Sequence, residues 1–289
     1  MQTGRIVVTG GAGFVGSAIA SALATRNPAA EIVAFDRQPA VATGVTSVQD
    51  DLANKDAVMA LGPIDALVEC SADREAEAPT PMGAYHCLEL ARRYDAQVIY
   101  LSTSHVYPLR HLRAIEVVET ETRFEIARHQ ELPGVSKVGI SEEFPLWGLR
   151  TKYGAAKLSA EQLIEDYVGG YGLRAVVNRL GAVGPGVVGE WAGPKQVRDL
   201  LHIDDLVELV AEQLAAPDDW AGEVLNVGGG RANSLSLIEA SEIAGDEIAP
   251  GDNNFPVYIS DCTRLFARSE WRPTRDVRAI LATRRRARE

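Results

Sequence analysis

The sequence predicts an α/β fold: a doubly wound parallel sheet with a small, shortened substrate-binding region toward the C-terminus. Three observations predict it. Short β-branched runs alternate with helical stretches along most of the 289 residues. A strand, a helix and a second strand follow one another within the first 36 residues, the spacing of a βαβ unit. The alternation then breaks in two places, at 108–140 and after about residue 228, where a second region has room to form.

The elements follow in order. RIVVTG (5–10) is a buried strand ending in glycine, and SAIASALATR (17–26) has helical periodicity. EIVAFD (31–36) is the second strand, and the short run TSVQ precedes Asp51 and Leu52. ALVEC (66–70) reads as a strand, PMGAYHCLELARRY (81–94) as a helix, and QVIYLSTS (97–104) as a strand entering a loop. Residues 153–168 are helical and LRAVVNRL (173–180) is a strand. IDDLVELVAEQLAA (203–216) is a helix whose acidic first turn complements the helix dipole, and EVLNVGG (223–229) is a strand. Within the first break, EVVETETRFEI (116–126) alternates as short strands do, and 234–244 is a short helix in the tail. The expected division is a cofactor domain over 1–177 with an insert at 108–140, then a mixed region over 178–289. In that region 197–227 returns to the sheet, while 178–196 and 228–289 form the small substrate-binding part.

Composition narrows the function. Apolar residues make up 46% and charged residues 24%, as in a soluble globular protein. A net charge of −11 repels phosphate backbones, so no nucleic acid partner is expected. The basic run RRRAR (284–288) reads as a solvated helix end. No apolar run approaches the length of a bilayer span, and no leader precedes the first strand, so no membrane association is expected. Cys70, Cys87 and Cys262 are widely spaced, and the five His show no paired ligand spacing. A reducing cytoplasm and no bound metal are the expectation.

The first strand runs into TGGAGFVGS, which places Gly10, Gly13 and Gly16 at the start of a helix. Glycine there permits a tight turn, leaves room for a pyrophosphate and lets helix and strand pack closely. The N–H groups of the first helical turn, with Phe14 and Val15, face the anion. This is the dinucleotide-binding signature of a Rossmann fold. Asp36 ends the second strand, where a carboxylate accepts a ribose hydroxyl and repels a 2′-phosphate, which favours NAD. Arg37 beside it is the residue type that pairs with such a phosphate. Asp51 and Leu52 stand where a carboxylate reaches an adenine amine, or form an ordinary loop.

Tyr153 and Lys157 lie four apart on a helix, and so on one face. A phenol with an ordinary pKa of about 10 needs help to act as a base near neutrality, and a neighbouring ammonium supplies it. Thr103, with Ser104 and His105, follows a central strand, the position at which open α/β sheets bind ligands. The serine/threonine, Tyr-x-x-x-Lys and glycine loop together resemble an extended short-chain dehydrogenase/reductase of the NAD-dependent sugar epimerase/dehydratase group. ISEEFPLWGLRTKYGAAKLSAE, KQVRDLLHIDDL, EVLNVGGG and SEWRPTRD carry that resemblance along nearly the whole chain. STSHVY, ETETRF, KQVRDLLH and NVGGGRANSLSLIE look closest to the CDP-paratose 2-epimerases, also called CDP-tyvelose epimerases.

The resemblance implies a Tyr153 base and acid, a Lys157 that acidifies it and a Thr103 that orients the substrate oxygen. Tyr153 and Lys157 would also touch the NAD cofactor, and Ser104, His105 and Arg198 the sugar substrate, with Arg198 on its diphosphate. It implies epimerisation by transient oxidation, with C2 favoured, and a homodimer through the helices at 81–94 and 153–168.

Three departures stand out. Eleven residues separate Gly186 from Arg198, fewer than family members carry. DREAEAPTP (73–81) is a short substrate-side loop. The expected Asn and Tyr after Arg179 are absent, with Ala182 in the Asn position. The substrate is therefore a nucleotide sugar held by other contacts, or a smaller sugar phosphate or nucleoside. Ser104-His105 also lacks the Asp-Glu pair of the dehydratases. Trp191 is either a stacking surface or a packing residue. A dehydrogenase or ketoreductase with net hydride transfer, and a non-catalytic NAD(P) sensor, stay open on the same residues.

Overall fold

The computed structural model describes residues 4–71, 81–184, 191–245, 248 and 255–286. Seven strands form the main sheet: β1 (Arg5–Thr9), β2 (Glu31–Asp36), β3 (Val45–Gln49), β4 (Ala66–Glu69), β5 (Gln97–Thr103), β8 (Ala175–Leu180) and β11 (Val224–Val227). Their order is β3-β2-β1-β4-β5-β8-β11, parallel throughout. The chain steps outward from β1 to β3, returns to β4 on the other side of β1, and continues. The strand order therefore reverses between β1 and β4, and a crevice forms there at the carboxyl ends. The strands β4 and β5 are buried along their whole length and β1 from Ile6 onward, as a sheet covered on both faces requires. This is the expected doubly wound α/β fold.

The chain forms two compact units. The first comprises Met1–Thr103, Thr151–Asn178 and Val207–Val224. Its helices include α1 (Phe14–Arg26), α2 (Lys55–Met59), α3 (Met82–Tyr94) and α5 (Lys152–Tyr171). Leu88 and Leu90 of α3, with Ala160 and Ile164 of α5, are buried in its core among Val7, Leu67 and Val98. Leu88 and Leu90 are thereby packed within the unit. Two devices set the ends of α5. The Thr151 side chain accepts a hydrogen bond from Gly154 N at 3.0 Å, and Gly172 stops the helix at φ 69°.

The second unit comprises Ser104–Arg150, Arg179–Leu206 and Leu225–Glu289. A hairpin of β6 (Val117–Glu119) and β7 (Phe124–Ile126) forms where alternation suggested short strands. A second sheet joins β9 (Ala182–Val183), β10 (Val197–Leu201), β12 (Ser234–Ser236) and β13 (Val257–Tyr258). The segment 197–227, expected to return to the main sheet as one piece, therefore divides. Its strand β10 lies in the second sheet, and β11 lies in the main one.

The hairpin is bolted down by charge. Arg123 donates to the Ser234 carbonyl and hydroxyl and pairs with Glu125 and Glu239. Lys195 reaches Glu119 at 2.8 Å. Glu239 also completes a capping box with Ser236 at the start of α8 (Leu237–Ala244). Trp191 is buried with Leu200, Leu235, Leu237 and Ile280, which makes it a packing residue. The loop at 73–80, Gly186 and the end of the basic run lie outside the described residues.

Candidate active site

The glycine loop is built as its spacing demands. Gly10 turns at φ 64°, and a Cβ there would press on the Cys70 backbone at 2.9 Å, at the end of β4. A Cβ on Gly16 would stand 2.1 Å from the Gly10 carbonyl oxygen, a separation no side chain tolerates. Gly13 precedes α1, donates its N–H to the Gly10 carbonyl at 3.0 Å and leaves the helix start without a side-chain cap or an acidic residue. Phe14 is exposed and Val15 half-buried beside it.

The Asp36 carboxylate is fixed at both oxygens. One accepts from Ala12 N at 3.1 Å and the other from Gln38 N at 3.0 Å. The acid at the end of β2 is thereby tied to the loop at the end of β1. A glycine cradle, an uncapped thirteen-residue helix and a fixed carboxylate suit a dinucleotide pyrophosphate and its ribose. Arg37 is exposed. The Asp51 side chain accepts from Ala53 N at 2.8 Å, and the Leu52 carbonyl faces His86 Nδ1 at 2.8 Å. Both residues sit on a built turn just before α2.

The catalytic candidates belong to the same unit. Thr103 is buried at the end of β5, and Tyr153 is half-buried in the first turn of α5. Lys157, one turn further, is 6% exposed, so what surrounds its charge matters. Its Nζ donates to the Leu101 carbonyl at 2.9 Å, two residues before Thr103. It also donates to Glu69 Oε2 at 3.3 Å and lies 4.5 Å from the centre of the Tyr100 ring. Glu69 ends β4 and accepts a second hydrogen bond from Ser71 Oγ. Burial, reinforced by Glu69, pushes the Cys70 and Cys87 thiols up, so neither serves as a nucleophile near neutrality.

Three further candidates lie in the second unit. Ser104 and His105 form a single 3₁₀ turn, Ser104–Val106, and both are half-buried. Arg198 is buried on β10. It donates to the Val197 carbonyl at 2.7 Å and to the Phe255 carbonyl at 3.1 Å, and its guanidinium stacks 3.6 Å over the Phe255 ring. It is an engaged cation rather than an open one. No group of three or more potential metal ligands occurs among the described residues, and no described helix is long and apolar enough to cross a membrane.

Glu69 escaped the sequence reading. It carries no periodicity signal, and its partner is 88 residues away. The one available clue is a carboxylate at the end of an otherwise apolar strand.

Comparison with known proteins places these features. The model of the NAD dependent epimerase/dehydratase family matches residues 6–190. A CDP-paratose 2-epimerase of Salmonella typhi is 28% identical over 229 residues, 66% of this chain and 65% of that protein. The match thus spans just under two thirds of that relative's length. A short-chain dehydrogenase/reductase superfamily protein from Agrobacterium tumefaciens with bound NAD has a TM-score of 0.75 at 19% identity, covering 98% of both chains. A UDP-glucuronic acid 4-epimerase from Bacillus cereus, in complex with UDP-glucuronic acid and NAD, has a TM-score of 0.72 at 21% identity, covering 96% of both. At these identities the two structures establish the fold.

Proposed function

The chain belongs to the NAD dependent epimerase/dehydratase family, and on that footing we propose that it is a sugar epimerase that oxidises a hydroxyl carbon, C2 favoured, and reduces it again on the opposite face. The observation that carries this reading is the Tyr153–Lys157 couple at the start of α5, with the ammonium bound to the strand that ends in Thr103. NAD, when bound, supplies the acceptor and donor of hydride. Gly10, Gly13, Phe14, Val15 and Gly16 would hold its pyrophosphate, Asp36 its ribose, and Asp51 and Leu52 its adenine end.

The chain's own residues do the proton work. Tyr153 takes the proton from the sugar hydroxyl, and Lys157 favours the phenolate that does so. Thr103 orients the reacting oxygen. After the keto sugar has turned over, Tyr153 returns the proton. Ser104 and His105 stand where a dehydratase of the group carries two carboxylates, which favours epimerisation over loss of water. The identity with a CDP-paratose 2-epimerase favours C2.

Arg198 favours a second version of the substrate. Its guanidinium is committed to Val197, Phe255 and the Phe255 ring. A sugar phosphate or nucleoside makes no demand on it, whereas a nucleotide sugar would draw it onto the diphosphate. The Arg198→Ala variant separates these, because a large rise in KM for a nucleotide sugar at unchanged kcat restores the diphosphate role.

The deciding experiment is to purify the protein without added cofactor, denature it and identify the released dinucleotide by mass spectrometry. Stoichiometric NAD is expected, since an epimerase regenerates its cofactor in place and gains by retaining it. An empty protein that binds NAD weakly and exchangeably would overturn the epimerase in favour of a dehydrogenase with net hydride transfer.

A further inference from the structure

Lys157 is almost fully buried, and its ammonium faces a carboxylate rather than solvent. We propose that Glu69 is a positioning residue, the counter-ion that fixes Lys157 and through it sets the pH range in which Tyr153 exchanges its proton. The proposal rests on the Tyr153–Lys157 reading above and adds a residue to it.

The geometry is specific. An ammonium has three donors. Two are directed at the Leu101 carbonyl and Glu69 Oε2, and the Tyr100 ring lies 4.5 Å away. Glu69 is itself 2% exposed, and Ser71 Oγ holds its second oxygen. The carboxylate is therefore anchored from two sides at the end of β4, and it locates the ammonium at the end of β5.

The other titratable groups around Lys157 are also in place. Cys70 follows β4, Cys87 comes from α3 and Tyr100 from β5. On α5 itself are Tyr153 and Glu161, the latter bound to Ser102 Oγ. Glu69 is hydrogen-bonded to the ammonium at 3.3 Å.

The electrostatic consequence has one sign. A negative charge raises the proton affinity of every group near it. Glu69 thus sets a compensating negative charge 3.3 Å from a buried ammonium. It also offsets part of the pull that Lys157 exerts on the phenol. Removing the charge makes both protons easier to lose, so the working pH range moves as a whole toward acid. Both residues are therefore followed.

The test uses the full chain with tyrosine labelled at Cζ and lysine at Cε, titrated by NMR. Tyr153→Phe and Lys157→Met assign the two signals. In Glu69→Gln both midpoints are expected about one pH unit lower than in the wild type. In Glu69→Asp, which keeps the charge but withdraws it by one methylene, they fall by about half a unit. Midpoints that stay in place in a folded Gln variant overturn the proposal. If that variant does not fold, unmoved midpoints in the Asp variant overturn it instead. The readout needs neither substrate nor turnover, so it is separable from the epimerase reading. Undiminished sugar turnover in Tyr153→Phe would sink that reading while leaving the measured coupling intact.

Discussion

At the scale of single residues, the site is made of atoms that leave no room for others. Gly16 illustrates this. Its missing Cβ is the space occupied by the Gly10 carbonyl oxygen, which is backbone and cannot swing away. Gly16→Ala must therefore push α1 off the loop and misplace the N–H groups meant for an anion. The expected result is at least a tenfold loss of NAD affinity, on the order of 1.4 kcal/mol, measured by calorimetry on cofactor-stripped protein. Unchanged affinity would show that the loop does not hold the pyrophosphate. Tyr153 presents the complementary case, where the lost atom is a single hydroxyl. Tyr153→Phe removes the proton carrier and keeps the ring. Turnover is expected to fall by about 10²–10⁴-fold, the usual worth of a general acid–base, with NAD binding retained. A fall in both together would point to the contact of Tyr153 with NAD rather than to proton transfer alone.

At the scale of elements, the proposed site depends on α5, because that helix carries both Tyr153 and Lys157. Its first turn is held by the Thr151 hydroxyl. Thr151→Ala removes that cap, an expected cost of about 1 kcal/mol seen as a lower urea midpoint. Further along, Tyr167 donates to Glu89 of α3 at 2.5 Å, and Arg92 grips the same carboxylate. The hydrogen bond from Arg92, then that from Tyr167, holds the Glu89 carboxyl below its usual range. The sign of the pH dependence follows. A depressed carboxylate stabilises the fold above its unfolded pKa of about 4.3, and that contribution is lost as pH falls through the lower folded value. Glu89→Gln should lower the urea midpoint at neutral pH and make no difference once both states are protonated. A gap that persists in strong acid would mean packing, not charge.

These elements also show what a sequence reveals. The helix was expected over 153–168, yet it runs on through Gly169 and Gly170 to Tyr171. A Cβ at either position would meet nothing within 4 Å, so no close approach requires these glycines, and the actual stop is Gly172 at positive φ. The strand at 197–201 was not read as a separate strand, because VRDLL carries Arg198 and Asp199 and so lacks a clear apolar signal, and its place in the second sheet was not legible either. The glycine loop and the Tyr-x-x-x-Lys helix were legible because their spacing is local. The Glu69–Lys157 pair was not, since its meaning lies in a contact between distant segments.

At the scale of the whole molecule, an acidic chain must take up an anionic cofactor. A net charge of −11 works against a pyrophosphate at long range, so recognition depends on local donors and on which anion is admitted. On the proposed reading Asp36 makes that selection. Its two oxygens are held by Ala12 and Gln38, so the carboxylate cannot swing aside to make way for a 2′-phosphate. Arg37 lies exposed beside it and offers the opposite preference. The fixed charge should prevail, because it cannot relax, while an exposed guanidinium is screened. Ligand binding converts this into stability: a ligand at a hundred times its Kd stabilises the folded state by about 2.7 kcal/mol. Cofactor-stripped protein is therefore expected to melt several degrees higher with NAD, and to shift little with NADP at the same concentration. Asp36→Ala should bring the two shifts together, by weakening NAD and relieving the repulsion of NADP. If NADP stabilises the wild type as much as NAD does, Asp36 is not the ribose ligand and Arg37 governs the choice.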